Sequence, residues 1–226
     1  MKKIPLILAV ISILAVSGDA QFKTSLTDPS AVTIARLRYT GGGDWYWGRS
    51  AIPNMHEFLA KNTNVDVADK EVNLLATDPE LYKYPFLFLT GHGNIKLTDQ
   101  EVTALRDYLT SGGFLFANDS YGLAKAFKRE MKRVFPEKEM VEIPFSHEIY
   151  HVPFEFPNGL PKIHEHDGKP PQGFGIFWED RLIVFFDYES DIGDGWEDYE
   201  VYQDPPEKHQ AALKMGANLI TYALTH

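Results

Sequence analysis

The chain contains no cysteine among its 226 residues. Disulfides, thiolate nucleophiles, cysteine-bound zinc and lipid attachment through an N-terminal cysteine are therefore excluded. Positive charge is scarce as well, with 22 Lys and Arg against 32 Asp and Glu and a formal net charge of −10. Nucleic-acid affinity rests mainly on Lys and Arg neutralising phosphates, so nucleic acid is set aside as a partner. Long apolar runs are lacking too. The stretch from Ile4 to Val16 falls short of the roughly 20 residues a membrane-spanning helix needs. It follows Lys2 and Lys3 and precedes small residues, with Gly18 and Ala20 placed for cleavage after Ala20. Residues 1–20 thus read as a secretory signal peptide, with an uncleaved anchor as the alternative, and 21–226 as a single α/β domain, periplasmic or extracellular, with no membrane span after cleavage.

Strands and helices alternate along the rest. "AVTIARLRY" (31–39) is a β-branched and aliphatic run ending at glycines. Ser50 opens a helical pattern with Ile52, Met55 and Leu59 on one face, and "EVNLL" (71–75) is a short strand. "PFLFLT" (85–90) lacks alternation, as a parallel strand covered on both faces does. Thr98 and Glu101 form a capping-box signature, Leu97 and Val102 a hydrophobic staple, and Gly112-Gly113 stop the helix before "FLFA" (114–117). Leu123, Phe127, Met131 and Val134 share the next helical face, with Pro136 as its stop and a basic outer face read as solvated. "GFGIFWEDRLIVFFDY" (173–188) reads as a hairpin turning at Glu179-Asp180. Asp204 at an N-cap, Pro205 at N1 and Glu207 at N3 open a last helix docking through Ala212, Met215 and Leu219.

This order predicts a doubly wound, mostly parallel sheet of flavodoxin-like type with a C-terminal antiparallel addition. Ligands of such sheets sit outside the carboxyl ends of the strands at the switch in strand order. That rule selects Arg38 to Trp47, Thr90 to Asn94, and Asn118 to Tyr121.

"ARLRYTGGGDWY", "YPFLFLTGHGN", "GGFLFANDSYG", "FKREMKRVFPE", "GLPKIHEHDGKPPQGFGIF" and "DPPEKHQAALKMGANLITYAL" together resemble the bacterial family of domain of unknown function 4159, over nearly the whole of residues 21–226. The resemblance implies a fold related to class I glutamine amidotransferase-like proteins, including the trehalose-utilisation ThuA-like group. Amidotransferases of that kind carry a cysteine nucleophile at a strand-to-helix turn. Asn118, Asp119 and Ser120 occupy that turn here, so thiol chemistry does not carry over.

Several constellations admit both a chemical and a structural reading. Asp119 and Ser120, with His92 in "TGHGN", fit a carboxylate or hydroxyl acting beside an imidazole; they equally fit helix capping. His164 and His166 in "IHEHD", two apart in an extended segment, point the same way and suit one metal such as Zn²⁺, with His92 or Asp119 as a further ligand, or are ordinary loop histidines. His147 and His151 would share a helix face at i, i+4. Asp187 to Glu207 holds nine carboxylates and no Lys or Arg. Its Asp191, Asp194, Glu197 and Asp198 mix with glycines and aromatics, as in a Ca²⁺ loop, a sugar site or a solvated acidic loop.

"YTGGGDWYWG" (39–48) follows strand one but lacks G-x-G-x-x-G spacing, and Asp44 would repel phosphate. Arg38, Gly42, Gly43, Asp44, Trp45, Tyr46, Asn94 and Tyr121 are therefore expected to form a rim for a small-molecule or carbohydrate ligand or an envelope protein. Two functions stay open: a ligand- or partner-binding domain without thiol chemistry, and a hydrolase using His92, Asp119 and the His164/His166 pair. No cofactor is certain; Zn or Ca suits the residues.

Overall fold

The computed structural model describes residues 31–226 apart from Asp69. The expected signal peptide lies outside the described residues. Seven strands form one sheet: β1 (Ala35–Arg38), β2 (Val72–Leu75), β3 (Phe86–Leu89), β4 (Phe114–Asn118), β5 (Val141–Glu142), β6 (Gln172–Trp178) and β7 (Arg181–Tyr188). Their order is β2-β1-β3-β4-β7-β6-β5. β2, β1, β3, β4 and β7 are mutually parallel, and β6 and β5 add antiparallel pairings at one edge. The α/β fold with an antiparallel addition is as the sequence predicts. The addition consists of β6 and β5, since β7, the second strand of the hairpin, pairs parallel to β4 and extends the parallel sheet.

Helices α1 (Ala51–Asn62), α2 (Asp99–Thr110), α3 (Ala124–Val134) and α5 (Pro206–Thr225) flank the sheet, and α4 (Tyr199–Tyr202) is one short turn. Two apolar layers result. Ile52, Met55 and Leu59 of α1 and Met215 and Leu219 of α5 cover one face with Phe86, Phe88, Phe114 and Phe116; Leu105, Leu109, Phe127 and Met131 cover the other with Leu87, Leu89, Leu115 and Ala117. Residues alternating along β3 and β4 thus enter opposite layers, and both faces are buried, which is why neither strand alternates in polarity.

Local signals hold with three shifts. The Thr98/Glu101 capping box is present in full, and Glu179 and Asp180 both take positive φ at the hairpin turn, as a two-residue turn of type I′ demands. The last helix starts at Pro206, one residue later than expected, with Pro205 in the cap position, because the Asp204 carboxylate accepts from His164 instead. α3 starts at Ala124 with Leu123 in the cap position. Ser120 therefore does not cap it, while Asp119 Oδ1 accepts from the Leu123 N–H at 2.8 Å. His147 and His151 flank a short 3₁₀ turn (Glu148–Tyr150) rather than sharing an α-helical face. No described helix is long and apolar enough to cross a membrane.

Candidate functional site

The carboxyl ends of β3, β4 and β7 converge on a cleft of about 360 Å³ lined by His92, Ser120, Tyr121, His164, Glu165, His166, Asp191, Asp194 and Tyr202. The sheet order changes direction between β1 and β3, and the cleft lies on the β3 side of that switch, with His92 as its residue from the loop after β3.

Asp194 is the hub. Its Oδ1 accepts from Ser120 Oγ at 2.9 Å and Asn118 Nδ2 at 3.2 Å, and its Oδ2 from the Tyr202 hydroxyl at 2.9 Å. Tyr202 in turn accepts from Trp47 Nε1 at 2.7 Å, so the aromatic loop after β1 is wired to the end of β4. Asn118 Oδ1 accepts from the Gly193 N–H at 2.6 Å. Gly193 must be glycine, since a Cβ there would lie 2.8 Å from both Asn118 Cγ and Phe88 Cζ. Burial, reinforced by the charge of Asp191, pushes the Asp194 carboxyl up to about 7.

Asp191 is the second centre. His164 Nδ1 and His166 Nε2 both approach its Oδ2, at 2.8 and 2.7 Å. Burial works against an ionised Asp191, but the hydrogen bonds and charges of the two imidazoles outweigh it and hold the carboxyl below its usual range. His164 Nε2 meets Asp204 at 3.0 Å. Burial lowers the His164 pKa, and Asp191 and Asp204 more than reverse it; for His166 the Asp191 hydrogen bond leads, burial opposes, and the net shift is again upward.

Asp44 holds His92 in place without lining the cleft. It accepts from the His92 N–H at 2.5 Å through Oδ1 and meets Nδ1 at 3.0 Å through Oδ2. Gly43 donates to the Asn94 carbonyl at 2.9 Å, and a Cβ at Gly43 would stand 2.8 Å from the carbonyl oxygens of His92 and Asn94. The glycine loop is therefore pressed against the "GHGN" turn, as close backbone approach requires.

A family model for a domain of unknown function, DUF4159, matches residues 33–224. The chain belongs to that family. No curated protein matches it.

In this DUF4159 chain the cleft gathers His92, Ser120, Tyr121, His164 and His166 of the residues expected from sequence. No imidazole bonds Ser120; its partners are Thr90, Asn118 and Asp194. Asp119 is buried and turned to the Leu123 N–H, with its carboxyl raised chiefly by burial. The remaining rim residues lie outside the cleft lining. Arg38 stacks over Trp45 at 5.1 Å, Gly42 and Gly43 build the loop, Tyr46 is 56% exposed, and Asn94 bonds the Gly41 carbonyl. Asp191 and Asp194, read from sequence as part of an acidic loop, Asn118, read as part of the turn after the fourth strand, and Asp204, read as a helix cap, join the site in roles the sequence did not assign them. Treating β7 as a parallel strand would have placed Asp191 and Asp194 at this cleft, since the loop after it then obeys the same carboxyl-edge rule.

Proposed function

We propose that the cleft is the active site of a non-thiol hydrolase, exported by way of residues 1–20, acting on a neutral, hydroxyl-rich substrate such as a carbohydrate. The observation that carries this reading is the convergence of three imidazoles and two buried carboxyl groups on one cleft at the carboxyl edge of the sheet. Asp191 and Asp194 repel an anionic substrate and offer acceptors to hydroxyls, while Tyr121 and Tyr202 supply rings for the apolar side of a sugar. Water is the nucleophile this arrangement favours, because the Ser120 hydroxyl is committed to Asp194 and meets no imidazole base. Relation to the amidotransferase-like and ThuA-like proteins belongs to the same proposal. Its support is the β2-β1-β3-β4 order and the position of Ser120 just beyond the end of β4.

Binding without turnover is the second reading, favoured by Tyr46 and Tyr121 standing 56% and 53% exposed. The test incubates the chain with a panel of neutral glycosides and oligosaccharides, reading product release alongside calorimetric binding. Hydrolysis lost at least ~100-fold in Asp194→Asn, as removal of a proton-transfer group predicts, supports the first reading. Binding with no turnover supports the second, and neither sinks both.

A further inference from the structure

We propose that His164, His166 and Asp191 hold a divalent transition-metal ion of the zinc type in the wall of this cleft. The site rests on the hydrolytic reading only for the use made of the ion; its ligand set stands on geometry.

Two imidazole nitrogens converge on one carboxylate oxygen, Asp191 Oδ2, at 2.8 and 2.7 Å. A tetrahedral zinc with ligands at about 2.0–2.2 Å holds its ligand atoms roughly 3.3 Å apart; His164, Asp191 and Asp194 already bring ligand atoms within 4.8 Å of one another, while His166 lies outside that group and must swing inward from Asp191 to join the ion. The other nitrogen of His164 meets the Asp204 carboxylate at 3.0 Å, the arrangement by which an outer carboxylate fixes the tautomer of a metal-binding imidazole. Asp194 presents a carboxylate oxygen within 4.8 Å of the ligand atoms of His164 and Asp191.

An independent observation points the same way. Asp191 is 2% exposed, yet its Oδ1 has no hydrogen-bond partner among the described residues, a costly state for a buried charged group. Its backbone φ of +63° places a non-glycine residue in the left-handed region, where strain collects at functional sites. Charge balance adds to this. Asp187, Asp191 and Asp194 are all buried, and among the described residues no Lys or Arg bonds any of them, the nearby Lys162 being taken by Glu189. Two imidazoles and a carboxylate select zinc-like ions over Ca²⁺ or Mg²⁺, which take oxygen ligands.

Without the ion, each contact of His164, to Asp191 and to Asp204, holds a proton between a ring nitrogen and a carboxylate oxygen. Zinc replaces the proton on Nδ1 and leaves Nε2–H on Asp204. Binding must therefore release a proton.

The test titrates the full, metal-stripped chain with Zn²⁺ in two buffers of different ionisation enthalpy, and with Co²⁺ followed by visible absorption. Expected are one ion per chain, proton release, and a tetrahedral Co²⁺ band. His166→Gln and Asp191→Asn should each weaken binding more than 10-fold and Asp204→Asn about 10–100-fold, with circular dichroism confirming the fold. If a variant fails to fold, X-ray absorption of the zinc-loaded native chain must count two imidazoles. No stoichiometric binding, or affinity unchanged in folded His166→Gln and Asp191→Asn, overturns the site. Metal content is read without turnover, so failure of the hydrolytic reading leaves a distinct result.

Discussion

Tyr121 shows what a single residue contributes against its own preference. Its φ of +106° is a conformation that L side chains rarely adopt, and its ring stands half exposed over the edge of His166 at 5.0 Å. Left-handed backbone costs an L residue roughly 1–2 kcal/mol, so Tyr121→Gly should be more stable than Tyr121→Ala by about 1 kcal/mol or more. Urea midpoints of the two variants check this, and equal midpoints would remove the strain argument. His56 carries the opposite kind of cost. It is buried, accepts the Ile34 N–H on Nε2 at 3.3 Å, and has its pKa lowered by burial, with Glu71 partly opposing. The folded state thus binds fewer protons than the unfolded state around an ordinary pKa of about 6.5. Its stability is whole above that pH and drains as pH falls below it. His56→Gln keeps an acceptor without the titration, so the native chain should lose more stability than the variant between pH 7 and 5, and parallel urea curves would refute the assignment. At this scale the sequence was only partly legible. The same-side placement of His164 and His166 was readable from period-2 geometry, whereas Asp191 as their shared acceptor required tertiary contact.

Among the elements, α5 tests whether propensity or packing decides. Gly216 lies inside this helix, where alanine ordinarily gains about 1 kcal/mol. A Cβ there would overlap Met55 Cε and stand 2.5 Å from Trp196 Cζ2. Met55 can yield, but Trp196 is fixed by its Nε1 bond to the Ala212 carbonyl at 3.0 Å and by packing on Phe88 and Phe116. Overpacking costs about 1–3 kcal/mol, so Gly216→Ala should lower the melting temperature by a few degrees, which calorimetry measures; a rise would mean that propensity wins. Helices and strands with strong local signals were readable in advance. The Thr98/Glu101 box needs only four residues of sequence, and it formed as expected. The starts of α3 and α5 were less legible because Ser120 and Asp204, good capping residues by type, are drawn into side-chain contacts with Asp194 and His164. A cap preference of about 1 kcal/mol yields readily to such charged partners.

For the whole molecule, the decisive feature is β7 lying between β4 and β6. Alternation of strand and helix foretold a parallel sheet, but a hairpin motif in sequence does not reveal which of its strands joins that sheet. Both strands of the 173–188 hairpin satisfy local turn chemistry; only tertiary packing makes β7 the parallel neighbour and carries Asp191 and Asp194 to the carboxyl edge beside Ser120. The same topology ranks the strands by how hard they are to open. β4 is paired on both sides and every residue in it is buried, whereas β5 is a two-residue exposed edge and β2 an only partly buried one. Amides deep in such a core exchange by near-global unfolding, and edge amides by local opening. Hydrogen exchange followed by mass spectrometry should therefore find Phe114–Asn118 and the neighbouring residues of β3 and β7 slowest, with Val141–Glu142 among the fastest. The loops bearing His92, Ser120 and Asp191 would then be anchored at the stable end of each central strand, which lets a deformable cleft keep its geometry. Equal protection of β5 and β4 would show instead that the sheet opens as one unit and that the site owes its order to something other than these three strands.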